Sequence, residues 1–227
     1  MNNAYKHPEK IKEMFNLVSK DYDKLNNLMT FGIHKRIKRN LIKNIPSPVK
    51  ILDLCTGTGD LAGFLKKEYP QSEVIGVDFS EKMLEIARKK NPKINFIETD
   101  CTNLPFEDES FDLCVISFGL RNIENMQKAL EEIYRILKPD GIFINLDLGK
   151  PNKFFNIFLK PYMYLWVSIL GKIFHGDDTP YQYLAVSNEE FPSSKKLAET
   201  FEKIGFQKIN TKNYLFGQVA SQTMKKP

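Results

Sequence analysis

From residue 49 to residue 147 short apolar runs alternate with helical stretches, and this alternation constrains the fold more than any other feature. Val49–Leu54 (VKILDL) leads through a Gly-rich turn into a helical stretch, and Glu73–Asp78 (EVIGVD) into a helix over Ser80–Lys90, with Ser80 at the N-cap and Met83 as a core contact. Ile94–Glu98, Phe111–Ser117 (FDLCVIS) and Gly141–Asp147 (GIFINLD) read as further strands, with a helix over Glu124–Leu137 before the last. Strands joined through helices pair in parallel, and repetition of that unit builds a doubly wound sheet. A helix over Ser193–Ile204, a stop at Gly205 and strand-like runs at Phe206–Phe216 and Gln218–Met224 add an antiparallel terminal hairpin. The predicted fold class is α/β: Rossmann-like, doubly wound, a mostly parallel seven-stranded sheet with an antiparallel C-terminal strand. Ligands of such sheets bind beyond the carboxyl ends of the strands, which predicts Asp53, Asp78, Asp100, Ser117 and Asp147 along one rim.

At 227 residues, one domain accounts for the chain. It divides into an N-terminal helical cap (1–48), a ligand-binding core (49–150), an aromatic insertion (151–190) and a C-terminal helix and hairpin (191–227). The cap holds predicted helices over 9–20 and 34–44. Residues 1–50 carry 11 Lys and Arg against 4 acids, a net of +7, while the rest of the chain carries 22 against 24. A basic end on a near-neutral body suits an anionic partner, a lipid surface or nucleic acid. Residues 151–185 contain nine aromatics, but Lys160, Pro161 and Lys172 interrupt the run, so it falls short of the ~20 apolar residues a membrane span needs. Three cysteines, Cys55, Cys101 and Cys114, are odd in number and lack metal-ligand spacing. They suit a reducing cytoplasm and predict no metal, and the N-terminus lacks the apolar core of a signal peptide.

The first candidate site is Ile51-Leu-Asp-Leu-Cys-Thr-Gly-Thr-Gly-Asp60. Gly57 and Gly59 remove side chains where the backbone turns and a ligand approaches closely. Gly57-Thr-Gly59-Asp-Leu-Ala62 also fits the G-x-G-x-x-A form of a nicotinamide-binding turn. Asp53, inside the strand, opposes a pyrophosphate and favours a cationic ligand, directly or through water. Asp78, ending the second strand, suits the ribose hydroxyls of an adenosine. Asp100 and Cys101 are placed to bracket an adenine edge. Carboxylates for ribose and ring, a cationic end and no phosphate contacts describe S-adenosylmethionine better than a dinucleotide.

Several segments then resemble the menaquinone/ubiquinone biosynthesis C-methyltransferase family of class I S-adenosylmethionine-dependent methyltransferases. They are Tyr22-Asp-Lys-Leu-Asn26-Asn-Leu-Met29-Thr-Phe-Gly32-Ile-His34, Leu52–Asp60, Leu104-Pro-Phe, Ser117-Phe-Gly-Leu-Arg-Asn122 and Leu137-Lys-Pro-Asp-Gly141. The first and the Ser117 segment are the most specific; the terminal strand departs from the family pattern with Gln222 where a His is usual. The resemblance implies S-adenosylmethionine as methyl donor, held by Thr58, Asp78, Asp100 with Cys101, and Ser117. It also implies C-methylation of a reduced polyprenylated quinone precursor late in respiratory quinone synthesis, on a naphthoquinol or the ubiquinone-pathway benzoquinol. Arg121 and Asn122, beyond the fourth strand, are expected to face the donor, with Arg121 stabilising phenolate charge. Tyr22 and His34 are expected to orient the substrate or relay its proton, and Asp147 to orient Arg121 or end its strand. A membrane-borne substrate gives the aromatic insertion and the basic cap, with Arg36, Lys38, Arg39 and Lys43 on headgroups, a common purpose at the inner face of the cytoplasmic membrane. Homodimer formation is compatible with this reading, and no nucleic-acid partner is expected. The rival readings are a non-catalytic cofactor- or lipid-binding module, an RNA methyltransferase and a nicotinamide-dependent reductase.

Overall fold

The computed structural model of the protein describes residues 7–43, 45–151, 155, 157 and 191–227. The aromatic insertion expected at 151–190 therefore falls almost wholly outside the described residues.

Three helices open the chain: α1 (Pro8–Val18), α2 (Tyr22–Thr30) and α3 (Ile33–Leu41). The core then alternates as read from the sequence, through β1 (Lys50–Leu54), α4 (Asp60–Glu68), β2 (Glu73–Asp78), α5 (Glu81–Lys90), β3 (Asn95–Glu98) and β4 (Phe111–Ser117). A 3-10 turn at Leu120–Asn122, α6 (Met126–Ile136), β5 (Leu137–Leu148), α7 (Ser194–Ile204), β6 (Gln207–Tyr214) and β7 (Val219–Lys225) complete the order. The strands form one seven-stranded sheet in the order β3-β2-β1-β4-β5-β7-β6. Pairing is parallel from β3 to β5, and β7 runs antiparallel to both β5 and β6. The chain leaves β1 toward one edge and returns to β4 on β1's other side, so the crevice between the carboxyl ends of β1 and β4 is the switch point.

Alternation along the strands sorts the two cores. Leu52, Leu54, Val77 and Ile116 face α6 and α7, joined by Leu130, Ile133, Leu197 and Phe201. Ile51, Val74, Leu113 and Val115 face α4 and α5, joined by Leu61, Leu65, Leu84 and Ala87. Asp53 shares the Ile51 face. Ser80 caps α5 by accepting from the Met83 amide at 3.3 Å, and Ser193 caps α7 by accepting from the Lys196 amide at 3.5 Å. α3 lies over the β5–β7 side, with Ile37 packed on Leu146 and Val219. No helix among the described residues is long and apolar enough to cross a membrane.

Candidate active site

Two recesses meet at the switch point. The first, a cleft, opens where β1, β2, β3 and β4 end. Its walls include Cys55 and Gly57 from the Gly-rich turn, Asp78, Asp100, Cys101, Ser117 and Asn122. Gly57 adopts φ 56, and a Cβ there would have only the Tyr22 ring near it, at 4.0 Å; bare backbone thus faces open space. Gly59 serves a different purpose. At φ 76 it starts α4, and a Cβ would press on Ala87, Asn91 and Phe96 at 3.0–3.1 Å, so it allows α4 and α5 to pack closely.

Asp78 is held by the cleft's own backbone. The Gly57 amide donates to its Oδ2 at 2.8 Å and the Ser80 amide to its Oδ1 at 3.0 Å. Burial nevertheless outweighs those bonds and pushes its pKa up to about 6. Asp100 accepts from the Thr102 amide at 2.8 Å, and the Cys55 and Cys101 sulfurs lie 3.7 Å apart. The Ser117 hydroxyl is buried without a hydrogen-bond partner among the described residues. An orphaned buried hydroxyl beside an open carboxylate and a bare glycine is a set of groups that a polyhydroxylated nucleoside would complete.

The second recess is an apolar cavity of about 350 Å³ lined by α1, α2, α3 and the β5–β7 side. Met14, Leu25, Met29, Ile37, Leu148 and Val219 are among the apolar residues that line it, and Tyr22, His34, Lys38 and Arg121 are among the polar ones. Phe15, Tyr22 and Phe118 line both recesses, so one aromatic partition separates them. Arg121 is buried and tied to Asp147: its Nη1 meets Oδ1 at 2.6 Å, and its backbone amide donates to Oδ2 at 3.3 Å. Nη1 also donates to the Phe118 carbonyl at 2.8 Å, while Nε has no partner among the described residues. Burial raises the Tyr22 pKa, partly countered by the nearby Arg121 charge. Burial, with Lys38 and Lys35 adding to it, lowers His34 to about 4, leaving a neutral ring at neutral pH. Thr30 spends its hydroxyl hydrogen on the Asn26 carbonyl at 2.7 Å. Thr30 Oγ1 also lies 2.5 Å from His34 Nδ1, a hydrogen bond that holds the ring by that nitrogen.

The expected single rim is thus divided. Asp78, Asp100, Cys101, Ser117 and Asn122 line the cleft. Arg121 and His34 line the cavity and not the cleft. Asp53 does not line the cleft: on the Ile51 face it is buried, accepts from Thr56 Oγ1 at 2.6 Å, and is pushed to about pKa 7 by burial. Thr58 is also buried, donating to Asp23 Oδ1 at 2.5 Å. Lys38, expected on headgroups, turns inward with Nζ 5.9 Å from the Phe118 ring centre, and burial lowers its pKa. Sequence reasoning missed Phe15 and Phe118 as the partition, the inward Lys38 and the whole of α2. The only sequence signal for α2 was the apolar spacing of Leu25, Leu28 and Met29 among two asparagines. Among the described residues no group of three His, Cys, Asp or Glu side chains is placed to hold a metal.

Comparison with known proteins concerns the chain as a whole. The chain is 39% identical to the demethylmenaquinone methyltransferase of Leptospira interrogans over 230 residues, covering 96% of this chain and 92% of that one. It is 38% identical to the demethylmenaquinone methyltransferase of Staphylococcus haemolyticus, covering 96% and 94%. Among solved structures it resembles a SAM-dependent methyltransferase from Thermotoga maritima, described as a possible histamine N-methyltransferase, at TM-score 0.67 and 22% identity over 95% of this chain and 99% of that one. A SAM-dependent methyltransferase from Aquifex aeolicus matches at TM-score 0.65 and 16% identity over 97% and 99%. At those identities the likeness concerns the fold. The family match itself runs from residue 3 to residue 226, and on it this chain belongs to the ubiE/COQ5 methyltransferase family.

Proposed function

We propose that the protein transfers a methyl group from S-adenosylmethionine to a ring carbon of demethylmenaquinol, yielding menaquinol late in respiratory quinone synthesis. The observation that carries this reading is the pair of recesses sharing one aromatic partition: a carboxylate-edged cleft for the donor and an apolar cavity with buried cations for the acceptor. The cavity's apolar lining suits a polyprenyl tail. The benzoquinol of the ubiquinone pathway presents similar ring chemistry, and the assay below includes it.

In this reading Asp78 accepts the ribose hydroxyls, Ser117 gains the partner it lacks, and Asp100 with Cys101 flanks the adenine. Gly57 lets the ligand approach the backbone, while Gly59, Thr58 and Asp53 shape the turn from behind. When bound, S-adenosylmethionine supplies an electrophilic methyl group on a sulfonium.

The chain's own residues must make the ring carbon nucleophilic and exclude water. Phe15, Tyr22 and Phe118 exclude it at the partition. Carbon attack requires that a quinol hydroxyl lose or share its proton, and the neutral His34 ring, which lines the cavity, is placed to take it. A base near pKa 4 is weak, so phenolate formation depends on the fixed charges of Arg121 and Lys38. Asp147 is a positioning residue that holds Arg121, and Asn122 bridges the two sides by donating to the Phe118 carbonyl at 3.3 Å. The cap (1–48), core (49–150), aromatic cover (151–190) and C-terminal unit (191–227) act as one methyltransferase domain that meets lipid peripherally.

The test supplies purified protein with S-adenosylmethionine, a reductant and each demethylated quinol, and reads the product mass. A gain of one methyl on the naphthoquinol is expected. No methyl on either quinol, from protein that binds the donor, would leave a binding module in its place.

A further inference from the structure

The mouth of the acceptor cavity carries an unusual ring of residues. Phe31 is 75% exposed, Phe216 69%, Leu215 42% and Ile33 40%. Phe31, Ile33 and Leu215 line the cavity, and Phe216 follows Leu215 in the chain. Three of these four adopt the left-handed backbone region: Phe31 at φ 48, Leu215 at φ 49 and Phe216 at φ 55. That region penalises any residue with a Cβ and favours Gly or Asn. Phe31 stands at the C-cap of α2, where Gly or Asn is the ordinary choice, and is instead a phenylalanine pointing at water. The loop therefore accepts backbone strain and apolar exposure at the same positions, on two segments 184 residues apart in sequence that meet at one opening. Strain concentrated in this way is characteristic of a working surface.

The surrounding charge selects the partner. Helix α3, which starts two residues after Phe31, holds Lys35, Arg36, Lys38 and Arg39 and no acid. Lys38 faces the cavity and Lys35 lies 4.0 Å from Asp60, whereas Arg36 and Arg39 are exposed, Arg39 with its guanidinium 4.6 Å from the Phe64 ring centre. Exposed apolar side chains at the mouth of an apolar cavity, with the exposed arginines of α3 beside them, match the interfacial layer of a bilayer with anionic headgroups. We propose that Phe31, Ile33, Leu215 and Phe216 form a wedge that enters an anionic lipid surface and sets the cavity mouth against it, with Arg36 and Arg39 on the headgroups. Phe216 already has one ring neighbour, Phe155, at 4.7 Å between centroids, so it enters as one of a pair. The wedge rests on reading the cavity as the site of a prenylated acceptor: lipid contact there delivers the substrate directly from the membrane.

The test is cosedimentation of the full chain with phosphatidylcholine vesicles containing phosphatidylglycerol, against phosphatidylcholine alone. Phe31→Asn and Phe216→Asn each replace a strained, exposed ring with a polar residue that tolerates the same backbone. Each is expected to weaken binding to the anionic vesicles by about tenfold, while the melting temperature of Phe31→Asn holds or rises. Loss of binding with unchanged or raised stability separates a docking role from a packing role. Unchanged vesicle binding in both variants would overturn the wedge. So would loss confined to Arg36→Glu with Arg39→Glu, which would mean adsorption by charge alone. A wild-type dimer that Phe31→Asn converts to monomer would assign the rim to a second copy of the chain and overturn it equally. Methylation of a tail-less demethylated quinol in solution tests the reaction separately. If it proceeds and vesicles are not bound, the wedge fails and the reaction stands; if vesicles are bound and no quinol is methylated, the reverse holds.

Discussion

Ser117 is the residue at which a ligand-binding role and a packing role predict opposite outcomes. Its hydroxyl ends β4 with no hydrogen-bond partner among the described residues, and burying an unpaired hydroxyl costs about 1–3 kcal/mol. Ser117→Ala removes that cost, so the unliganded protein should melt at the same or a higher temperature. The same change should weaken donor affinity by about fivefold or more, since the ligand loses the hydrogen bond that completes the hydroxyl. Calorimetric titration alongside thermal melting checks both; lower stability with unchanged affinity would make Ser117 an ordinary packing residue. Arg121 demands the opposite care. Its partner Asp147 is 1% exposed, so Arg121→Ala strands a buried carboxylate at about 3–5 kcal/mol. Arg121→Lys keeps a charge near Asp147 but loses the planar fork that also reaches Phe118. The expected outcome for Arg121→Lys is retained donor affinity with methylation reduced by about a hundredfold, read in single-turnover assays. Weakened donor binding would instead return Arg121 to the cofactor side.

Helix α2 reaches the core through charge and hydroxyl contacts as well as apolar packing. Lys90 on α5 pairs with Asp23 of α2 at 2.7 Å and with Asp60 of α4, and Thr58 of the Gly-rich turn donates to Asp23. Asn16 of α1 accepts from the Ser80 hydroxyl at 2.7 Å. Lys90→Ala should cost about 1 kcal/mol overall, because Lys90 and Asp23 are about one-third exposed while Asp60, at 15%, keeps Lys35 at 4.0 Å. It should nevertheless speed amide exchange across Tyr22–Thr30 while leaving β1 and β4 protected. Uniform exchange would mean the cap and core open as one unit. The same contacts explain what the sequence could disclose. Glu73–Asp78 and Phe111–Ser117 were legible to the residue because continuous apolar runs between turn signals have few other uses. β5 begins at Leu137 rather than Gly141 because Leu137 pairs with Phe111 across a register shift, a pairing that the Pro139-Asp140-Gly141 turn signal masks. From the sequence Asp53 reads as a cleft residue, because only its nearness to the strand end is visible there. The face it points to depends on strand phase against α4, which only the packing fixes. α2 escaped because nine residues with little apolar content are held by partners as far as 67 positions away.

At the scale of the molecule, three displaced titrations make stability and ligand binding oppose each other. Burial raises Asp53 to about 7 and Asp78 to about 6 from an ordinary 3.8, so between pH 4 and 6 the folded chain keeps two protons that the unfolded chain releases. His34 runs the other way: lowered from 6.5 to about 4, it stays unprotonated in the fold while the unfolded ring binds a proton. Across that window the fold thus holds a net excess of one proton from these groups, and their contribution to stability falls as pH rises. A donor whose ribose hydroxyls hydrogen-bond to Asp78 favours the ionised carboxylate, so its affinity should rise with pH by at most about tenfold per unit below the folded pKa and level off above about 6. The stabilisation that saturating donor confers on melting should therefore be larger at about pH 8 than at about pH 5, even though the unliganded fold draws less from these carboxylates at the higher pH. Asp78→Asn should flatten the dependence and lower the affinity at every pH, while leaving the opposing His34 contribution in the unliganded melting curve. An equal ligand-induced shift at both pH values in the wild type would mean that the ribose is held without Asp78, and that the buried carboxylate serves the Gly57 turn alone.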